Sequence, residues 1–117
     1  MHELAIAKNV VEICETHAGE NKVARIDLDI GNLSGVLAES LEFCFEACTK
    51  GTLLEGAHLH INKIKGTAKC PACSASFEIL AIYDSCPKCQ SFPVEILSGR
   101  EMRVSEIEIE EKINYVR

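Results

Sequence analysis

Tryptophan is absent from this sequence, and aromatic residues are few, with four Phe and two Tyr in 117 positions. No uninterrupted apolar run approaches the roughly 18 to 20 residues that a membrane-spanning helix requires, which excludes such a helix and predicts a soluble protein with no membrane partner. No Gly-rich phosphate loop occurs, so any nucleotide hydrolysis associated with this chain belongs to another protein. No nucleophile is visibly paired with a general base, which speaks against an enzyme. Basic residues are in the minority, 12 Lys and Arg against 18 Asp and Glu, for a net charge of −6. Non-specific nucleic-acid binding depends on neutralising phosphates, so that balance argues against a nucleic-acid partner. The start of the chain has neither a basic leader nor a small-residue cleavage site, and the expected location is cytoplasmic.

What is present is an apolar fraction of 47% and seven cysteines. The length suits one domain, or one modest core with a metal-stapled appendage. In an exported chain seven cysteines would read as disulfides. Here the number is odd, and four of them form two Cys-x-x-Cys pairs, so thiolate metal ligation in a reducing compartment accounts for them better.

Leu4, Ala7, Val11, Cys14 and Ala18 recur at helical spacing, with Ile6, Val10 and Ile13 widening the stripe and Gly19 closing it. Val23, Ile26, Leu28 and Ile30 alternate with Arg25, Asp27 and Asp29, the period-two pattern of a strand with one buried and one charged, exposed face. After a turn at residues 31–35, Leu37, Leu41, Phe45 and Cys48 mark a second amphipathic helix that Gly51 stops. Ala57, Leu59 and Ile61 alternate with His58, His60 and Asn62 in a second strand. A basic stretch over residues 63–69 then leads into the cysteine-rich module. Beyond it, Met102, Val104, Ile107 and Ile109 form a last strand whose phase slips around Ser105, as at a bulge. The order predicts an α+β fold: a small three-stranded sheet with two helices on one face, plus an inserted four-cysteine zinc-ribbon module. The expected domains are residues 1–65 with 99–117, discontinuous, and residues 66–98.

Cys70-Pro71-Ala72-Cys73 and Cys86-Pro87-Lys88-Cys89 stand twelve residues apart, close to the spacing of zinc ribbons. Two residues between ligands let both sulfurs of a knuckle face one ion about 2.3 Å away, and the intervening hairpin brings the second knuckle over it. Four thiolates leave no position open for substrate or activated water, so the expected metal is structural zinc; the ligands alone also leave rubredoxin-type iron open. So small a ribbon buries little apolar surface and is expected to unfold without its metal.

The chain begins Met1-His2-Glu3. A terminal amine, the amide nitrogen of His2 and its imidazole can close fused chelate rings, a donor set that suits tetragonal Ni(II) or Cu(II). By itself the pattern is a weak signal and reads more readily as an exposed terminal histidine. The chain resembles the HypA/HybF family of hydrogenase nickel-incorporation proteins over nearly its whole length. The resemblance rests on the Met1-His2-Glu3 start, Ile30-Gly31-Asn32-Leu33-Ser34-Gly35-Val36, Leu41-Glu42-Phe43-Cys44-Phe45-Glu46, Gly51-Thr52, Glu55-Gly56, the two Cys-Pro-x-Cys knuckles and Ile107-Glu108-Ile109. It implies a nickel metallochaperone that supplies Ni(II) to the large subunit of [NiFe] hydrogenase, together with a maturation GTPase. It also implies a nickel domain completed by the carboxy-terminal strand. The nickel ligands it assigns are His2, with Met1 through its α-amine, and Glu3 as the next residue of the motif. The recipient hydrogenase, any service to urease, and the choice between monomer and weak homodimer stay open.

Other residues carry blander readings. His58 and His60 project to one strand face, solvated in the simplest reading, and His17 is a favourable charge at a helix end. Cys14, Cys44 and Cys48 lie on apolar helical stripes and read as core packing. Glu39, Glu42 and Glu46 form an acidic helix face. The alternative to nickel delivery is a zinc-ribbon protein–protein adaptor with no nickel role.

Overall fold

A computed structural model describes residues 2–110 of the chain. In chain order the elements are α1 (Glu3–Ala18), β1 (Lys22–Gly31), α2 (Ala38–Thr49), β2 (His58–Ile64), β3 (Thr67–Lys69), β4 (Ser76–Glu78), β5 (Glu95–Ser98) and β6 (Met102–Glu110). They form two three-stranded sheets, in the orders β2-β1-β6 and β4-β3-β5. The architecture is the expected α+β one, two helices and a small sheet with a cysteine-rich insertion, and the insertion brings the second sheet with it. The chain divides into two compact units: unit 1 holds residues up to Leu28, Leu37–Ile61 and Val104 onward, and unit 2 holds Asp29–Val36 and Asn62–Arg103.

Unit 1 takes its core from both helices and the first part of β1. On α1 the buried residues are Ile6, Ala7, Val10, Val11, Cys14 and Ala18. At 3.6 residues per turn these fall in one arc. Leu4 and Ile13, which the apolar stripe would include, lie at the two rims of that arc and remain largely exposed. Gly19 ends the helix with a positive φ of 65°, and its N–H reaches the Glu15 carbonyl at 3.1 Å, a conformation that glycine adopts without a Cβ penalty. Val23, Ile26 and Leu28 of β1 are buried, as are Leu41, Phe45 and Thr49 of α2. Leu37 does not begin the buried stripe of α2: it is the extended residue before the helix, and it is exposed.

Unit 2 shows where the alternating pattern of β1 misleads. Asp29, on the face that should be charged and exposed, is only 8% accessible. Its Oδ1 accepts a hydrogen bond from Asn62 Nδ2 at 3.1 Å and its Oδ2 pairs with Arg103 Nε at 3.0 Å. One carboxylate on the central strand thus ties down both neighbours. The partners also reveal the strand directions. Asp29–Asn62 and Asn32–Ile64 advance together along β1 and β2, the sense of a parallel pair joined through a helical crossover. Asp29–Arg103 and Gly31–Glu101 run in opposite senses, so β6 is antiparallel to β1. On β6, Ser105 and Glu106 are both exposed between half-buried Val104 and Ile107, the phase slip read at Ser105.

Entry to the ribbon and exit from it meet at three glycines. A Cβ on Gly31 would collide with the backbone of Gly99, and one on Gly66 would fall 2.6 Å from the Ile79 carbonyl and 2.9 Å from Leu33. Gly99 has φ of +112°, and a Cβ there would stand 2.6 Å from Gly66 Cα. Beyond this junction β3 pairs antiparallel with β4, Ala68 opposite Phe77, and with β5, Ala68 opposite Ile96.

Candidate metal centres

The two knuckles are built alike. In the first, the Ser74 amide donates to the Cys70 carbonyl at 2.8 Å and the Cys70 amide to the Ala75 carbonyl at 2.9 Å. In the second, the Gln90 amide donates to the Cys86 carbonyl at 2.8 Å and the Cys86 amide to the Ser91 carbonyl at 3.0 Å. The residue after each second cysteine closes the turn with a positive φ, 63° at Ser74 and 65° at Gln90. Each turn points two sulfurs inward and frees amides to face them.

The four sulfurs converge. Cys70 Sγ and Cys89 Sγ are 3.5 Å apart, Cys73 Sγ and Cys86 Sγ 3.7 Å, and all four lie within 4.8 Å of one another. Four sulfurs at 2.3 Å around a tetrahedral ion stand about 3.8 Å apart, so the arrangement fits a metal ion held by four thiolates and is consistent with a zinc ribbon. Cys70 and Cys86 are buried, whereas Cys73 and Cys89 are exposed.

The electrostatics favour thiolates held by polar groups of the turns. Cys89 is pulled down to about 6, first by the Ser91 hydroxyl and then by the Ser91 amide. Ser91 Oγ lies 3.2 Å from Cys89 Sγ. Cys86 is lowered by the Cys89 and Lys88 amides against desolvation. At Cys73 the Ala75 amide also lowers the thiol, but desolvation and the neighbouring sulfurs outweigh it and leave the group at about 11. The crowding thus drives Cys73 toward its protonated form. A cation supplies what that crowding lacks, which is the chemical basis of the fit. The supporting role of Ser91 was not read from the sequence; the small residue two places after each second cysteine is the signal that could have found it.

Met1, one of the residues the resemblance assigns to nickel, lies outside the described residues. His2 is exposed and occupies the extended position just before α1, with φ −84° and ψ 91°. Its carbonyl accepts the Ile6 amide at 3.2 Å, and its side chain makes no capping hydrogen bond. Glu3 opens the helix, and its Oε2 accepts the Leu37 amide at 3.1 Å. That bond holds the Glu3 carboxyl below its ordinary range. The carboxylate thereby takes, from another helix, the place a capping-box glutamate would fill at the start of α2.

The other singled-out residues remain apart. His58 and His60 are exposed on β2, and His17 is exposed in the last turn of α1. Among the described residues, Cys70, Cys73, Cys86 and Cys89 form the one group of three or more His, Cys, Asp or Glu side chains that could share an ion. Cys14 is buried, Cys44 and Cys48 half-buried, and none is in a disulfide. No helix among the described residues is long and apolar enough to cross a membrane.

Comparison with known proteins adds sequence and structural relatives. Residues 1–109 match the family model described as hydrogenase/urease nickel incorporation, metallochaperone, hypA. A hydrogenase maturation factor HypA from Geobacter sp. (strain M21) is 52% identical over 110 residues, which cover 94% of this chain and 100% of the relative. The protein of the same name from Geotalea uraniireducens (strain Rf4) is 49% identical with the same coverage. The solution structure of the Ni metallochaperone HypA from Helicobacter pylori superposes with a TM-score of 0.69 at 31% identity, covering 96% of this chain and 100% of that one.

Proposed function

Because this chain belongs to the HypA family of hydrogenase maturation metallochaperones, we propose that it binds Ni(II) at its amino terminus and delivers it to the large subunit of [NiFe] hydrogenase. In this reading a maturation GTPase is its working partner, and the location is cytoplasmic. The thiolate cluster holds a structural zinc ion through Cys70, Cys73, Cys86 and Cys89.

The observation that carries the nickel reading is the position of His2. The residue before the first helical position contributes its carbonyl to the helix but not its amide N–H. Nickel can therefore take the His2 amide nitrogen without breaking a bond of α1. The exposed imidazole and the Met1 amine complete three donors on one short segment, an arrangement suited to a tetragonal ion. Glu3 follows with one carboxylate oxygen engaged by Leu37, and its second oxygen is the candidate for a further nickel contact. Capture and release both benefit from the exposure of His2, which lets an acceptor approach the cargo from outside.

The test is titration of Ni(II) into zinc-loaded protein with an intact, untagged amino terminus, alongside His2→Ala. The wild type should bind one nickel per chain, and the variant should lose at least about tenfold in affinity while keeping its zinc. Equal binding by the two would place the nickel site elsewhere and sink this assignment. Protons compete for amine and imidazole, so wild-type affinity should also fall between about pH 7.5 and 5.5.

A further inference from the structure

Helix α2 buries Leu41 and Phe45 in unit 1 and turns its opposite side to solvent. On that side stands Phe43, 76% exposed. Folding of the chain thus leaves a large apolar side chain in water. Around it, one turn back, adjacent and one turn on, are Glu39, Glu42 and Glu46, all exposed. None of the three has an ion-pair partner among the described residues. A groove of about 360 Å³ runs beside them, lined in part by Glu42, Glu46, Gly56 and Leu59.

We propose that this outer face of α2, centred on Phe43, is a docking surface for a partner protein that presents Lys or Arg around an apolar pocket. Charge selects the occupant. By sequence, unit 1 carries thirteen acidic residues against six basic, net −7, while unit 2 carries five against six, net +1, which together make the −6 of the chain. A second copy docked through the same face by two-fold symmetry would set one acidic face against another, and nucleic acid would be repelled in the same way. An arginine suits the site because its guanidinium stacks on an aromatic face and forks onto carboxylates. The phenyl ring supplies the desolvated anchor, and the carboxylates supply steering and orientation.

The choice of probes rests on the maturation reading: the maturation GTPase and the hydrogenase large-subunit precursor of the same organism, each purified. Each is titrated with wild type, with Phe43→Ala and with a Glu42→Gln/Glu46→Gln double variant, at low and high salt. Nickel stoichiometry and thermal melting are measured on the same preparations. The inference predicts that wild type binds one of the two proteins, that Phe43→Ala weakens binding by about tenfold or more, and that the double variant weakens it mainly at low salt. Nickel binding and melting should stay at wild-type values, because these side chains are exposed. If both variants bind the partner like wild type, the docking face is overturned while the nickel reading stands. If wild type binds neither protein at low salt, the docking face and the choice of partners fall together. If wild type fails to take nickel, the maturation reading falls, and the partner titrations still decide the docking face.

Discussion

Cys14 sits with no accessible surface in the α1 arc, and burial pushes its thiol from an ordinary 9.0 up to about 11. The folded state therefore favours the protonated form. Its contribution to stability is complete below about pH 9 and is lost as pH rises through about 11. The loss amounts to up to about 2 kcal/mol. Urea unfolding at pH 7.5 and 10.5 should show this loss in wild type and a smaller one in Cys14→Ala; parallel losses in the two would remove Cys14 as the cause. Asp29 acts through pairing instead. Replacing it by Ala deprives Asn62 and Arg103 of one carboxylate and should cost about 1–3 kcal/mol in denaturant unfolding. The cost stays moderate because Arg103 is itself largely exposed and can turn to water.

Among the elements, the end of β1 and the two ends of the inserted ribbon depend on close backbone approach. Gly31 meets the Gly99 backbone with no room for a methyl group, so Gly31→Ala forces the strand end apart. The variant should lose about 2 kcal/mol or more, seen as an earlier unfolding transition, whereas Gly35→Ala meets nothing nearby and should cost only its backbone conformation. The helices are held differently. Glu3, at the first position of α1, satisfies the amide of Leu37 just before α2. A residue placed by family resemblance beside the nickel ligand thus also fixes the start of the helix that carries Phe43. Neither the Gly31–Gly99 contact nor this cap has a local signature, since in both cases the partner lies more than thirty positions away in sequence.

For the molecule as a whole, the two units draw their stability from different sources. Unit 1 buries Ile26, Leu28, Leu41 and Phe45 with one face of α1. Much of the buried centre of the ribbon in unit 2 is Ala68, Cys70, Ile79 and Cys86, a small set whose two cysteines belong to the metal cluster. Stripping the metal with a strong chelator should therefore disorder residues 67–98 while the helices keep their circular dichroism signal, and restoring zinc should reverse the loss. Simultaneous collapse of the helical signal would show that unit 1 cannot stand without the ribbon.

The two helices, the strand pattern and the cysteine cluster were legible because each is a local repeat: helical spacing from Ile6 to Ala18, alternation along β1, and two residues between paired cysteines. Such patterns follow from backbone geometry and need no knowledge of the rest of the chain. By sequence the amino terminus offers three nitrogen donors within two residues, and the nickel role proposed for it rests on family resemblance. Tertiary structure alone decided that both rims of α1 stay wet, why Asp29 is buried on a charged face, and that Leu37 precedes its helix instead of packing under it. It also decided that Glu3 is engaged by a distant amide and that Phe43 is left in water. Each of these depends on a partner supplied by a remote part of the chain, or on the lack of one, and hydrogen bonding and burial are settled only when those parts meet.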